Sequence, residues 1–234
     1  MAATVDPAYW IGFAFIYGLA IGSFLNVVVF RLPEGASIVS PGSHCPRCET
    51  PIAWRDNIPV LSFLLLRGRC RRCQERISLR YPAVELFTGF VFALVAWRFG
   101  VGLPAALYAL FASALIAAAL IDFDHQIIPD EISLGGLAAG LLLVPAVWVF
   151  AAEVPPLEAL AESFQGALLG GGLLWSIAFF HARLSVALGR SFEHWPGEGQ
   201  EPPKPSSADY WLWFPGMGLG DVKLLAMIGA FLGP

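Results

Sequence analysis

Residues 216–223 read GMGLGDVK, so three alternating glycines stand before Asp221 and an apolar run follows it. About a hundred residues earlier, another apolar run ends in the acidic segment IDFDH at residues 121–125. Ionisable side chains at the edge of a lipid bilayer are costly to place there, and they are functional candidates by default. In an apolar chain, the two acidic segments predict a pair of carboxylates that face each other.

The composition is typical of a membrane protein. The chain has 234 residues, of which 57% are hydrophobic and 14% are charged, whereas a soluble domain carries roughly 25% charged residues. Because about 20 apolar residues span a bilayer as a helix, we predict an all-α polytopic membrane protein with about six transmembrane helices. The predicted spans are residues 9–30, 84–98, 104–121, 132–150 and 164–180, with a shorter sixth at 221–232.

The sixth run is too short to cross a bilayer comfortably. Two explanations are open: the run is a half-helix, or the sequence is truncated at its C-terminus. We favour truncation, because no polar tail follows residue 232.

The distribution of positive charge predicts the orientation. Nine of the 14 Lys and Arg residues lie in the segment 31–82, and none precedes the first span. Loops rich in Lys and Arg remain on the cytosolic side of a membrane. Segment 31–82 is therefore predicted to be cytosolic, and counting the spans places Asp122 and Asp221 at this same cytosolic face.

The four cysteines form two C-x-x-C pairs, Cys45 with Cys48 and Cys70 with Cys73. This spacing is typical of a structural zinc site with four thiolate ligands, which leaves no open position for catalysis. Two alternatives remain open, namely disulfides and free redox-active thiols. The predicted cytosolic location favours zinc, because disulfides do not persist in a reducing compartment.

Two facing aspartates in a partly dehydrated site would share a proton, so one acts as a base and the other as an acid. The base would take a proton from water as that water attacks a peptide carbonyl, and the acid would protonate the leaving amine. The predicted activity is therefore that of an aspartyl protease at the membrane surface, with Asp122 and Asp221 as the catalytic pair.

Each acidic position also has a purely structural interpretation. Asp221 could be a first-turn residue that the helix dipole favours. Asp122 and Asp124 could be interfacial residues at a helix end, and Asp130 a helix cap. Lys223 could either lower the pKa of a neighbouring acid or extend its amine towards water.

Five stretches together resemble the bacterial type IV prepilin peptidases, also called leader peptidase and N-methyltransferase, which are GxGD-type aspartyl proteases. One C-x-x-C or one GxGD would be weak, but five in family order are highly specific. The stretches are residues 22–33, the cysteine pairs with residues 57–62, then residues 77–85, 121–130 and 218–223.

The resemblance implies an enzyme of the bacterial inner membrane that cleaves the basic leader of type IV prepilins and type II secretion pseudopilins. It would then N-methylate the new N-terminus with S-adenosylmethionine. The catalytic positions of the family fall on Asp122, seven residues before Pro129, and on Asp221. The family's cysteines fall on the four cysteines named above.

This interpretation divides the chain into three parts: a first transmembrane helix (1–30), a cytosolic zinc-knuckle loop (31–82) and a membrane-embedded peptidase core (83–234). The expected partners are prepilins, pseudopilins and the lipid bilayer, and nucleic-acid binding is not expected. Two other functions remain open. The chain could be a non-catalytic membrane scaffold with a zinc knuckle, or a peptidase without methyltransferase activity.

Overall fold

A computed structural model describes residues 6–190, 192, 201, 203–215 and 217–234. This part of the chain is helical, and its extended pairing is limited to isolated bridges. The helices are α1 (Pro7–Arg31), α2 (Leu61–Leu65), α3 (Arg80–Phe99), α4 (Leu103–His125), α5 (Asp130–Ala152), α6 (Pro156–Ala187), α7 (Asp209–Leu212) and α8 (Leu219–Leu232), with a 3₁₀ turn at Trp54–Asp56.

Five helices, α1 and α3 to α6, are long and apolar enough to cross a membrane. They match the five long runs in the sequence, which confirms the predicted all-α, multi-span class. The short sixth run forms α8, which has 14 residues. Helix α4 continues beyond the predicted end at residue 121 as far as His125, where Gln126 closes it in the left-handed conformation. Asp122 and Asp124 therefore lie within its last turn.

The chain divides into two compact units, residues 1–126 and 127–234, which we call the N-terminal and C-terminal units. In the N-terminal unit, α1 packs along α3, and both contact α4. The contact between α1 and α3 is close because glycines face it. A Cβ atom on Gly18 would lie 2.7 Å from Cβ of Phe92, and one on Gly22 would lie 2.7 Å from Cα of Glu85.

In the C-terminal unit, α8 packs against α6 and α5. The backbones of α6 and α8 touch at Gly166 and Gly229, where a Cβ atom on either glycine would overlap the carbonyl oxygen of the other. Ser163, one turn away, is buried and donates its hydroxyl to the Ala230 carbonyl at 2.7 Å. Small residues of this kind let helices approach closely in lipid, where no hydrophobic force drives them together.

Residues 209–214 of the polar connection before α8 dock on α6. The Trp175 indole donates to the Trp211 carbonyl at 2.8 Å, and the two rings stack. The Arg183 guanidinium donates to the Tyr210 carbonyl at 2.7 Å and lies 3.8 Å from the centroid of the Tyr210 ring. This docking holds the segment that leads into the start of α8.

The glycine contact between α6 and α8 is testable with two alanine substitutions in the same helix. Gly166→Ala should lower the unfolding midpoint of the detergent-purified protein, because the added methyl group meets backbone atoms that cannot rotate away. Such overpacking costs roughly 1–3 kcal/mol, and we expect the upper part of this range, well above the ~1 kcal/mol that alanine gains over glycine in a helix.

Gly172→Ala is the matched control. A Cβ atom at this exposed position has no neighbour within 4 Å, so only the helix propensity changes, and stability should be unchanged or slightly higher. Equal unfolding midpoints for the two variants would contradict the close backbone contact.

Candidate functional site

The four cysteines come together in the segment that connects α1 and α3, residues 32–79, which we call the cysteine loop. Their Sγ atoms all lie within 4.8 Å of one another. The two pairs are held by equivalent turns. The Glu49 N–H donates to the Cys45 carbonyl and the Gln74 N–H to the Cys70 carbonyl. Glu49 and Gln74 both have positive φ angles, 54° and 60°, so the two turns bend in the same way.

The geometry of the sulfur atoms fits a tetrahedral metal ion. Metal–sulfur distances of about 2.3 Å give a tetrahedron with edges of about 3.8 Å. The Cys45 and Cys73 sulfurs are 3.8 Å apart, which matches such an edge. A disulfide needs a sulfur–sulfur distance of about 2.05 Å, and all four cysteines are free. The arrangement therefore corresponds to a possible metal site.

The protonation of the thiols also favours a bound cation. Hydrogen bonding with the Thr50 side chain, and then with its backbone, lowers the pKa of the Cys48 thiol to about 6. The Glu75 backbone N–H acts in the same direction on Cys73, but desolvation and the three neighbouring sulfurs outweigh it and raise the pKa of this thiol to about 12. Four adjacent thiolates therefore need a positive charge between them.

A bidentate ion pair fixes the second cysteine turn to the rest of the loop. The Arg71 guanidinium donates to both carboxylate oxygens of Asp56, at 2.8 and 2.7 Å. These hydrogen bonds hold the pKa of the Asp56 carboxyl below its usual range. Paired, planar contacts of this type add geometric specificity to the attraction between charges.

The cysteine loop is joined to α3 through the buried Glu85. Its carboxyl group accepts the Val60 backbone N–H at 2.7 Å, and its Cα lies against Gly22 of α1. Val60 has φ 61° and ψ −49°, and the Leu61 N–H donates to the Pro59 carbonyl at 2.5 Å. This is the rare positive-φ γ-turn, which is strained, and more so for a β-branched residue.

The sequence did not predict the hydrogen bond between Glu85 and Val60, although a lone acid inside an apolar run was a usable signal. The structure also explains why two of the recognised stretches, residues 22–33 and 77–85, occur together. Gly22 of the first stretch meets Glu85 of the second, and the Asn26 amide donates to the Tyr81 carbonyl at 3.3 Å. These stretches form one end of the contact between α1 and α3.

The acids at the end of α4 have different surroundings. Arg80 donates to both oxygens of Asp124, at 2.8 and 2.6 Å, so Asp124 is held in an ion pair and is not simply solvated. Within the described part of the chain, Asp122 forms no ion pair. The surroundings thus distinguish Asp122 from its neighbour.

Asp221 is the third residue of α8. Its carboxylate accepts the Gly218 backbone N–H at 3.2 Å, which is one half of a capping interaction and agrees with the structural interpretation of this residue. Lys223 is engaged elsewhere, because its ammonium donates to Asp130 at 2.7 Å. Lys223 therefore does neighbour an acid, but this acid is Asp130 at the start of α5. Asp122 belongs to the N-terminal unit and Asp221 to the C-terminal unit, and their pairing stays a prediction.

The helices and the cysteine cluster together define a multi-pass helical membrane protein with a possible metal site in a loop. Residues 109–234 match the model described as "Type IV leader peptidase family", and residues 16–99 match that of the "Bacterial Peptidase A24 N-terminal domain". The chain belongs to the type IV leader peptidase family.

Similar proteins cover nearly the whole chain. The prepilin leader peptidase/N-methyltransferase of Klebsiella pneumoniae is 40% identical, over 97% of this chain and 87% of that protein. The protein with the same name from Pseudomonas putida is 36% identical, over 98% of this chain and 75% of its own length. The type 4 prepilin-like proteins leader peptide-processing enzyme of Escherichia coli O78:H11 is also 36% identical, over 97% and 79%. No solved structure gives a significant match.

The hydrogen bond between Glu85 and Val60 can be tested by hydrogen exchange. Glu85→Ala should leave the Val60 N–H without its acceptor, at a cost of about 1–3 kcal/mol, which corresponds to roughly 5- to 150-fold faster exchange of this amide. The measurement is mass-spectrometric exchange of peptides that cover residues 58–66. Glu85→Gln retains a carbonyl acceptor and should show a smaller increase.

Glu34→Ala removes an exposed acid in the same loop and should leave the exchange at Val60 unchanged. If the Val60 amide exchanged as slowly in Glu85→Ala as in the Glu34→Ala control, the proposed attachment of the loop to α3 would be wrong.

Proposed function

We propose that this protein is a bifunctional enzyme that removes the leader peptide of prepilins and then N-methylates the new N-terminus. The observation that carries this proposal is the similarity to family members whose names include both activities, at 40% and 36% identity over almost the entire chain. We further propose that the division into a first helix (1–30), a zinc-knuckle loop (31–82) and a peptidase core (83–234) describes how these activities are arranged.

We infer that Asp122 and Asp221 are the catalytic acids. One carboxylate takes a proton from water while the water oxygen attacks the scissile carbonyl, and the other carboxylic acid donates its proton to the leaving amine. The surroundings of Asp122 support its role, because Arg80 neutralises the neighbouring Asp124 and forms no ion pair with Asp122. At Asp221, the glycines that precede it let an extended substrate backbone approach.

The membrane orientation of the proposal follows from charge. We propose that the cysteine loop and both acids face the cytosol at the bacterial inner membrane, since loops rich in Lys and Arg remain inside. A prepilin or type II pseudopilin with a basic leader and an apolar helix would be held in the same orientation. Its scissile bond would then lie at the membrane surface, at the level proposed for Asp122 at the end of α4 and for Asp221 at the start of α8.

We propose zinc as the metal of the four-cysteine site. Four thiolate ligands with tetrahedral spacing suit zinc and leave no coordination position for a substrate. The ion would stabilise the folded loop and would not take part in the chemistry. S-adenosylmethionine is the proposed co-substrate and would supply an electrophilic methyl group, and nucleic acid has no role in the proposal.

The catalytic roles predict the outcome of three single substitutions. Asp122→Asn and Asp221→Asn should each reduce leader cleavage by at least roughly 10²- to 10⁴-fold, the usual contribution of an acid–base residue. The measurement is the mass shift of a prepilin incubated with the protein in vesicles.

Asp124→Asn is the matched control, because it changes the same helical turn and leaves Asp122 in place. Its cleavage should remain within a few-fold of the unsubstituted protein. Cleavage by Asp122→Asn or Asp221→Asn at the level of this control would remove that residue from the mechanism.

The two alternative functions predict other outcomes. Normal biological function of both Asp122→Asn and Asp221→Asn would favour a non-catalytic membrane scaffold. Prepilin that is cleaved but not methylated by the unsubstituted protein would favour a peptidase without methyltransferase activity.

Metal analysis tests the cysteine site. The purified protein should contain close to one zinc ion per chain, and Cys45→Ser should lose most of it, because three thiolates hold the ion less tightly than four. His44→Ala is the control, since His44 is a possible zinc ligand by residue type but lies outside the cluster of four sulfurs. Loss of zinc from His44→Ala, or full occupancy of Cys45→Ser, would contradict the assignment of ligands.

A further inference from the structure

We propose that a cavity between α1 and the cysteine loop is the binding site of the methyl donor, with Arg31 as the ligand of its carboxylate. The inference rests on the proposed methyltransferase activity and assigns it to a site. The cavity has a volume of about 340 Å³, within the range of small-molecule sites. Its lining includes Ser23, Phe24 and Arg31 on α1 and Ser43, Asn57 and Pro59 on the loop, all within the N-terminal unit.

Arg31 differs from the arginines that serve the structure of this unit. Arg71 and Arg80 each donate two hydrogen bonds to an aspartate. Arg31 donates to the Ser37 carbonyl at 3.0 Å and, within the part of the chain that the structure describes, forms no ion pair. A guanidinium group has five N–H donors and binds a carboxylate through two parallel bonds. S-adenosylmethionine carries such a carboxylate on its methionine part.

The remaining lining suits the adenosine part of the same molecule. Phe24 is exposed along the cavity wall and offers an aromatic face, on which a purine base can stack. Asn57 offers an amide that both donates and accepts a hydrogen bond, the combination that matches the N6 and N7 edge of adenine. The cavity thus combines a cation for the carboxylate, an aromatic face and a polar edge.

Glu85 stands behind the cavity and holds its two walls together. Its Cα lies against Gly22 of α1, next to Ser23 in the wall formed by that helix, and its carboxyl group accepts the Val60 N–H and so holds the turn that contains Pro59. Ser23 and Pro59 both line the cavity. Glu85 is therefore a positioning residue, and the strained turn at Val60 is maintained next to a binding site, where such strain is commonly found.

Methyl transfer requires only that this site bind and orient the methyl donor. The lone pair of the substrate's new α-amine attacks the methyl carbon, so that an N–C bond forms as the C–S bond breaks. The electron pair of the broken bond stays on sulfur, which becomes the neutral thioether of S-adenosylhomocysteine. The positive charge passes to nitrogen, whose proton leaves to water. No side chain forms a covalent bond.

The test measures binding of S-adenosylhomocysteine to the full chain in detergent micelles by isothermal titration calorimetry. Arg31→Ala should weaken binding by roughly 10- to 100-fold, because a charge-assisted contact is lost, and Arg31→Lys should recover part of it, since lysine keeps the charge without the planar fork. Asn57→Ala should weaken binding roughly 5- to 10-fold. Arg76→Ala, an exposed loop arginine that does not line the cavity, is the control and should bind normally.

Folding is monitored independently by the metal content and the unfolding midpoint of each variant, which should match those of the unsubstituted protein. Arg31→Ala with the affinity of Arg76→Ala would overturn the site while leaving the proposed function intact. An unsubstituted protein that cleaves prepilin, adds no methyl group and binds no S-adenosylhomocysteine would overturn the site together with the methyltransferase half of the proposed function.

Discussion

Close contact between helix backbones at glycine residues is the constraint on which both units depend. In lipid, helices are not driven together by the hydrophobic effect, so packing has to supply the attraction. At Gly22 the absence of a side chain lets α1 reach the backbone of α3 at Glu85, the acid that holds the Val60 turn. At Gly166 and Gly229 the same absence of side chains lets α8, the helix that carries Asp221, pack closely on α6. The absence of side chains at these glycines therefore positions Glu85 and Asp221, the acids to which we assign functions.

The cysteine loop illustrates how a polar segment with short helices is given a defined shape. It is too poor in buried apolar residues to form a core of its own, so a few directional contacts replace one. The four sulfurs gather both cysteine turns, the pair between Arg71 and Asp56 fixes the second turn, and Glu85 attaches the Val60 turn to α3. A loop held at these points can present a cavity wall to α1 even though it has little regular secondary structure.

The distribution of ion pairs is consistent with the roles that we propose for the acids. Arg80 neutralises Asp124 in the N-terminal unit, and Lys223 neutralises Asp130 in the C-terminal unit. Each unit thus holds acids in ion pairs and also carries one, Asp122 or Asp221, that is not part of any ion pair in the described residues. A carboxylate that exchanges protons with a substrate benefits from this, because a tightly paired carboxylate is a poor base.

The sequence by itself determined the helical membrane class, the five long spans and the two cysteine turns, because runs of apolar residues and C-x-x-C spacing act locally. The repetition of the C-x-x-C pair also indicated that the four cysteines share one site. It also singled out Asp122 and Asp221, though only as a pattern. Only the tertiary structure decided which acid forms an ion pair with which cation and which backbone N–H group hydrogen-bonds to Glu85. The partners in these contacts are 25 to 93 residues apart in the chain. No local period encodes such contacts, since they depend on how helices pack at their glycines.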